Sequence, residues 1–495
     1  MVQKILDKIH TPNWLVFLLG VGLILRVPSL LEPYSYGDEM IYLALGQAIR
    51  RGLVLYRDIH DNKPPLLYFI AAISGNLFWL RAILAGWMMI TTIIFWKLTR
   101  ALFPKNILFQ KISTIAFLVL TTLPLLEGQI ANAELFMIGP TILAFTILIT
   151  KKNTVSNLLF TGFLFSISAL FKIPAAFDIL AIFCFWIITA RPKFTSYLKI
   201  IQKMALISTG FLIPIAISLV WYYYRGGFRE YFTAAFLQNV GYLSSFRPDN
   251  VTDPFFVRNA PLIGRGVIVL LGVAILFIFR KSLSKPYILA SSWILFGLFA
   301  ITLSERPYPH YLIQIVPPLA IFIGLLATSK NKEQSLSLIP LSLVLLPVLY
   351  YNFWYYPTGK YYLRFLEFAS GKIDKQEYFN RFEGNTNRNY LISEMIKSIT
   401  KKTDKVFVWG NSSVIYALSG RLPPIKYVAD YHIKDFSSQE EVLASLQMDM
   451  PKIIILLPES EHFEGLVRLL HNSYRLIKVD DGTAVWSKIT NNANN

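Results

Sequence analysis

The chain of 495 residues is 54% hydrophobic with a mean hydropathy of +0.47, which excludes a soluble multidomain protein. Its formal net charge of +18 is scattered over many short loops beside apolar runs, the distribution of the positive-inside rule rather than of a nucleic-acid surface. The single cysteine, Cys184, excludes an intramolecular disulfide and is expected as a small buried hydrophobe.

Apolar runs long enough for a bilayer core recur from Trp14 to Tyr351. In chain order they are Trp14–Leu31, Arg81–Trp96, Ile112–Leu126, Leu135–Ile149, Leu158–Phe171 and Ala175–Ile188. Met204–Tyr222, Ile263–Phe279, Tyr287–Thr302, Tyr311–Ala327 and Leu336–Tyr351 follow. They predict about eleven transmembrane helices. The first is read as a span and not a cleaved signal, since many spans follow it and no small-residue cleavage pattern does. Pro64–Trp79 is apolar but short and opens on two prolines, so it is expected to lie at the outer interface. With that assignment Lys4/Lys8, Lys97–Lys111, Lys151-Lys152, Arg191–Lys203, Arg280–Lys285 and Lys330–Lys332 all fall on one side. The N-terminus is therefore expected in the cytoplasm and the tail outside it, in a plasma or inner membrane.

Beyond Tyr351 the pattern changes, which divides the chain into a transmembrane domain, 1–351, and an extracytoplasmic α/β domain, 352–495. Tyr361–Phe382 and Asn389–Ile399 read as amphipathic helices. Strand-like runs start at Lys405, Ile425, Lys452, Tyr474 and Gly482, and Asp480-Asp481-Gly482 is expected to turn a hairpin. The absence of a P-loop or GxGxxG gives no sign of a nucleotide site.

The chemistry gathers in segments of outward parity. From Tyr36 to Tyr68 two acids, Asp38 and Glu39, precede Arg50, Arg51, Arg57 and Lys63-Pro64-Pro65. A carboxylate takes a proton from a hydroxyl, and a basic cluster at the membrane surface holds a lipid phosphate. The plainer readings are helix-start acids and a snorkelling lysine. Further on, Glu127 and Glu134 flank a short loop, and Lys172 stands between strongly apolar runs, where a charge signals function. Arg306 precedes Tyr308-Pro309-His310-Tyr311, and Arg225, Arg229, Arg247 and Arg258 lie among aromatics in Tyr223–Leu262. These residues predict one outward-facing site. No zinc-ligand spacing or GxSxG occurs. No cofactor is required, and a divalent ion on Asp38 and Glu134 would suit carboxylate chemistry but has no supporting pattern.

Over almost its whole length the chain resembles the GT-C glycosyltransferases, the class of the protein O-mannosyltransferases and the lipid A aminoarabinose transferase. The strongest elements are DExxY at Asp38–Tyr42, GxxxY at Gly52–Tyr56 and NKPPL at Asn62–Leu66. Weaker ones are NAELF at Asn132–Phe136, LFK at Leu170–Lys172 and PHYLIQIVPPLA at Pro309–Ala320. The chain departs from the protein mannosyltransferases, which carry HPP where it has Lys63-Pro64-Pro65, and it lacks the WWDYG motif of oligosaccharyltransferases. The resemblance implies a multi-spanning GT-C helical fold with interfacial helices in the first outer loop, and a polyprenyl-phosphate sugar as donor. The reading is inverting transfer with Asp38 as base and Glu39 orienting it. Lys63 and His310, then Arg57, Lys172 and Arg306, meet the leaving phosphate, while Glu134 and Tyr311 bind substrate. The acceptor stays open among lipid, glycan and protein. The alternatives are transfer of a whole lipid-linked glycan, and a non-enzymatic transporter or flippase, which the gathering of the ionisable residues at one face rather than at the midplane disfavours.

Overall fold

The computed structural model of the protein describes residues 11–34, 36–241, 254–382 and 385–489. Lys4, Lys8 and Arg247, used in the sequence reading, lie outside these residues. The chain forms two compact units that no single cut in the sequence separates. One comprises Met1–Ser29, Arg81–Trp221 and Phe236–Tyr361, the other Leu30–Leu80, Tyr222–Ala235 and Tyr362–Asn495.

The first unit is helical. Among the described residues eight helices are long and apolar enough to cross a membrane: Asn13–Leu31, Leu77–Leu102, Ala133–Thr150, Phe194–Tyr224, Phe255–Phe279, Lys285–Thr302, Pro309–Thr328 and Lys332–Tyr350. Three shorter apolar helices, Ile107–Thr122, Val155–Phe171 and Ile173–Thr189, stand where further spans are predicted. Burial sorts them into layers. Ala133–Thr150 and Pro309–Thr328 are 72% buried along their apolar windows, whereas Phe255–Phe279 is only 11% buried. The first two form the middle of the bundle, and the last presents Leu270 and Ile278 outward, as lipid contact requires. Glycine sets the closest crossing. A Cβ at Gly162 would stand 2.0 Å from the Ile207 carbonyl oxygen, and one at Gly210 would stand 2.1 Å from that of Leu159. Only a residue without a side chain lets these two helix backbones approach so closely. Two buried arginines satisfy carbonyls at helix ends, Arg26 on Thr121 (2.6 Å) and Arg81 on Ser29 (2.8 Å).

The second unit joins the segment Leu30–Leu80 to the tail. Helix Gly37–Arg50 is amphipathic, and Gly46 lets it pack onto the backbone of Ala71 and Ala72. Pro64–Trp79 contains the nine-residue helix Leu66–Ser74, stopped by the left-handed Gly75. At about 14 Å it is too short to cross a core of roughly 30 Å. In the tail, β1 (Val406–Trp409) pairs in parallel with β2 (Ile453–Leu456), while β3 (Tyr474–Asp480) and β4 (Thr483–Lys488) form an antiparallel hairpin, giving the order β1-β2-β4-β3. The hairpin turn carries Asp481 and Gly482 at positive φ, as the mirror-image two-residue turn demands. Phe407, Trp409, Ile454, Leu466 and Leu470 fill the core beneath the sheet.

Two expectations need correcting. Tyr361–Phe382 is not one helix but spans parts of two, Thr358–Ala369 and Lys375–Asn380, separated by a turn with Gly371 at φ 74°. Ile425–Asp430 is not a strand but irregular chain leading into helix Asp430–Phe436. Pro423 and Pro424 remove two backbone donors just before it, and the Lys426 carbonyl is taken by the His60 N–H (2.8 Å) instead of by a neighbouring strand. Ile425 and Tyr427 still enter the core, which explains their strand-like apolarity. Loop and tail are further tied by Gln47 on the Ala417 carbonyl (2.9 Å), Arg51 on the Gly420 carbonyl, and Asn389 on the Tyr34 hydroxyl (2.7 Å).

Candidate active site

In the second unit Asp38 stands in the first turn of helix Gly37–Arg50, where the free N–H groups favour an anion. Four residues on, Tyr42 lies on the same face and donates its hydroxyl to Asp38 Oδ2 at 3.0 Å. Lys63 Nζ donates to the same oxygen, also at 3.0 Å. Lys63 is delivered by a tight loop in which Tyr56, at φ 72°, donates its N–H to the Ile59 carbonyl and its hydroxyl to the Lys63 carbonyl (2.7 Å). The Tyr56 ring is held in turn by Tyr222 and Tyr231. Helix Leu66–Ser74 then begins directly after the prolines, at a place where their missing donors cost nothing.

Behind the pair lies a buried layer. Asp61 Oδ2 is 4.0 Å from Lys63 Nζ, and Asp61 Oδ1 is 3.4 Å from His432 Nε2, on the tail helix Asp430–Phe436. Burial works against the charge of Lys63, but Asp38, Tyr42 and Asp61 outweigh it and hold the ammonium well above the usual lysine range. Burial likewise pushes Asp61 upward, and Lys63 and His432 overcome it, leaving this carboxylate well below its ordinary range. His60, packed edge-on against His432 and Phe436, is driven down to about 4 by burial and by His432. The result is a fixed row of alternating charge, Asp38–Lys63–Asp61, with His432 behind it, and its outer end is reachable: the Asp38 side chain is 28% exposed.

The first unit holds a second polar cluster, built from four helix ends. Glu127, fully buried and in left-handed conformation, closes the turn Pro124–Leu126, and Glu134 opens helix Ala133–Thr150. Lys172 ends helix Val155–Phe171, and His310 lies in the 3-10 turn Pro309–Ile315. Lys172 Nζ pairs with Glu134 Oε1 and sits 3.7 Å from the centre of the Tyr311 ring. His310 bonds through Nδ1 to Glu127 and places Nε2 3.8 Å from Glu134. Asn132 donates to Glu127 at 3.4 Å. Such a group of paired polar and charged side chains inside a helical bundle is costly to bury, which makes it a candidate binding site. Among the described residues no group of three or more His, Cys, Asp or Glu is arranged to hold a metal ion.

No protein-family model and no curated protein matches the chain. Solved structures do. The fold is similar to ArnT from Cupriavidus metallidurans bound to undecaprenyl phosphate, with a TM-score of 0.58, 12% identity, and coverage of 97% of this chain and 99% of that one. The apo form of the same protein gives 0.56 at 13% identity, covering 96% and 98%. The chain has the GT-C fold. A fainter likeness is to the archaeal oligosaccharyltransferase AglB from Archaeoglobus fulgidus in complex with an inhibitory peptide and a dolichol-phosphate, at 0.41 and 13% identity, covering 91% and 70%.

Within this GT-C fold the sequence-predicted residues fall into two groups. Asp38 and Lys63 are brought together in one unit, and Glu134, Lys172, His310 and Tyr311 in the other. Glu39 is buried, about 100° round the helix from Asp38. Arg57 is turned to Asp58 (2.7 Å) and to the Arg225 carbonyl (2.6 Å). Arg306 is exposed, while its neighbour Glu305 pairs with Arg265. Sequence reasoning did not place Asp61 or His432 in the site, and it left Glu127 out of the site set. Asp61 stands next to the NKPPL element, so adjacency was a usable signal. His432 has no local signal, because its contact with Asp61 joins residues far apart in the chain.

Proposed function

We propose that the protein is an integral-membrane glycosyltransferase that moves a sugar from a polyprenyl-phosphate carrier to an acceptor hydroxyl on the extracytoplasmic face. The observation that carries this reading is the Asp38–Lys63 pair, a partly exposed carboxylate and ammonium at the start of an interfacial helix in a GT-C fold. That ArnT was solved bound to undecaprenyl phosphate supports a lipid-phosphate carrier here.

In the reaction the acceptor oxygen attacks the anomeric carbon while its proton passes to Asp38. The bond from that carbon to the phosphate oxygen breaks, the electron pair leaves with the polyprenyl phosphate, and configuration inverts. A positioned carboxylate base contributes about 10²–10⁴-fold. Lys63 does double duty. It holds Asp38 by a hydrogen bond of 3.0 Å, and drawn onto the donor phosphate it releases that base and meets the charge that develops on the leaving group. Donor binding thus switches the base on. Within the first unit, Lys172 and His310, each against Glu134, together with Tyr311 form the second polar cluster, and on this reading that cluster binds a polar part of a substrate.

Product stereochemistry tests the reading. Purified protein in lipid, given a monosaccharyl polyprenyl phosphate of known anomeric configuration, is expected to yield product of the opposite configuration together with free polyprenyl phosphate. Retained configuration, or turnover of oligosaccharyl pyrophosphate donors alone, contradicts it.

A further inference from the structure

The acceptor is the open question, and a cavity within the second compact unit bears on it. It encloses about 280 Å³, and Gly37, Asp38 and Ile41 from the start of helix Gly37–Arg50 line one part of it. The rest comes from the tail. Arg388 and Asn389 contribute from helix Thr386–Ile399, and Asn411, Ser412 and Ser413 from the turn after β1. Tyr34, Tyr431 and Glu459 complete the lining.

The lining is built, not accidental. Arg388 and Asn389 are both buried, Arg388 Nε donates to Asn389 Oδ1 at 3.4 Å, and Asn389 Nδ2 donates to the Tyr34 hydroxyl at 2.7 Å. The turn after β1 is set by Gly410 at φ 137°, where a Cβ would also meet the Leu457 side chain at 2.7 Å. Only glycine turns there, and the turn delivers Asn411 and Ser412 to the cavity. Among the described residues the side chains of Asn411, Ser412 and Glu459 make no hydrogen bond to protein, which leaves them for a ligand.

The chemistry selects the ligand. Amides and hydroxyls both donate and accept, as the alternating groups of a sugar require, and Tyr34 and Tyr431 stand in the lining beside them. One guanidinium, Arg388, stands against two carboxylates, Asp38 and Glu459, so the cavity does not suit a phosphate. An acyl chain would need an apolar wall. The volume is at the low end of ligand pockets, roughly 300–1,000 Å³, which gives room for a sugar ring and not for a long glycan.

We propose that this cavity is the acceptor site and that the acceptor is a saccharide, read by Asn411, Ser412 and Glu459 with its reacting hydroxyl at Asp38. The proposal rests on the glycosyl-transfer reading above. On it, the tail is a substrate-reading element of the enzyme.

The test uses the full chain in nanodiscs and a panel of methyl glycosides of glucose, galactose, mannose and N-acetylglucosamine, followed by saturation-transfer NMR. At least one glycoside is expected to bind. Ser412→Trp, which fills the cavity, is expected to weaken it by roughly tenfold or more, and Asn411→Ala by a few-fold, each with an unchanged unfolding temperature. Asn411 is exposed, so the second variant keeps the test valid if the first fails to fold. Binding is expected to persist with an undecaprenyl-phosphate sugar present, and displacement by that donor would reassign the cavity to the donor sugar and overturn the acceptor role. Absence of binding, or binding indifferent to both variants, overturns the proposal outright. Release of undecaprenyl phosphate is scored separately. A wild-type chain that binds glycosides yet never releases it contradicts the transfer reading and the acceptor role, while the saccharide site stands.

Discussion

Lys63 has two anions within reach, Asp38 at 3.0 Å and Asp61 at 4.0 Å, and its backbone is pinned by Tyr56. A lysine that merely snorkelled would need neither, and replacement by any polar residue would leave its surroundings content. Here loss of the ammonium leaves Asp61 buried without its main counter-charge. Lys63→Gln is therefore expected to slow transfer by on the order of 10–10²-fold and to raise the donor KM, because charge on the leaving phosphate grows in the transition state. Lys63→Arg keeps the charge in a different shape and is expected to retain part of the rate. Steady-state kinetics with an undecaprenyl-phosphate sugar measures both, and a Gln variant with wild-type rate and affinity would remove Lys63 from the phosphate. The sequence made Asp38 and Lys63 conspicuous through their motifs. It could not show that they bond to each other, since a separation of 25 residues carries no geometry until the loop closes.

Among the elements, those with a strong local pattern were legible. The hairpin of β3 and β4 follows from two β-rich runs joined by Asp480-Asp481-Gly482, and the shortness of Leu66–Ser74 follows from its prolines and Gly75. What local pattern could not supply is the docking of the tail on the segment Leu30–Leu80, made by single contacts such as His60 to Lys426 and Asp61 to His432. Apolar Ile425 and Tyr427 read as strand because burial alone was visible, not the partner that takes the backbone. This docking has a pH signature. His60 titrates at about 4 in the folded chain against about 6.5 in an unfolded one, so between these values the unfolded chain binds a proton that the folded chain does not. Stability is then complete above pH 6.5 and falls on acidification toward pH 4, by at most ~1.4 kcal/mol per pH unit from this group. Asp61, held low, adds a loss only at still lower pH. Thermal unfolding across this range is expected to show a declining midpoint for the wild type and a flatter profile for His60→Phe. Equal slopes in the two would detach the effect from His60.

For the whole molecule, hydropathy gave a multi-spanning helical architecture and the motif resemblance gave the GT-C fold, and structural likeness at 12% identity bears out the fold. Among the described residues eight helices of sufficient length and three shorter ones stand at the predicted places. The grouping of Leu30–Leu80 with the tail was not legible, because nothing in the sequence ties a loop before the second span to a domain after the last. Membrane orientation rests on the one-sided basic loops. In a Cys184→Ser background, cysteines at Asn132 and Ser413 are expected to react with an impermeant thiol reagent in intact cells, and protection of either until lysis would reverse the parity. The central claim, that Asp38 is the base of a polyprenyl-phosphate-dependent transfer, is tested most directly by single-turnover kinetics of Asp38→Asn on an undecaprenyl-phosphate sugar. Asn keeps the size and loses the basic oxygen, so the chemical step is expected to fall by on the order of 10²-fold or more while donor affinity stays within a few-fold of wild type. A chemical step at near wild-type rate in that variant would contradict the account.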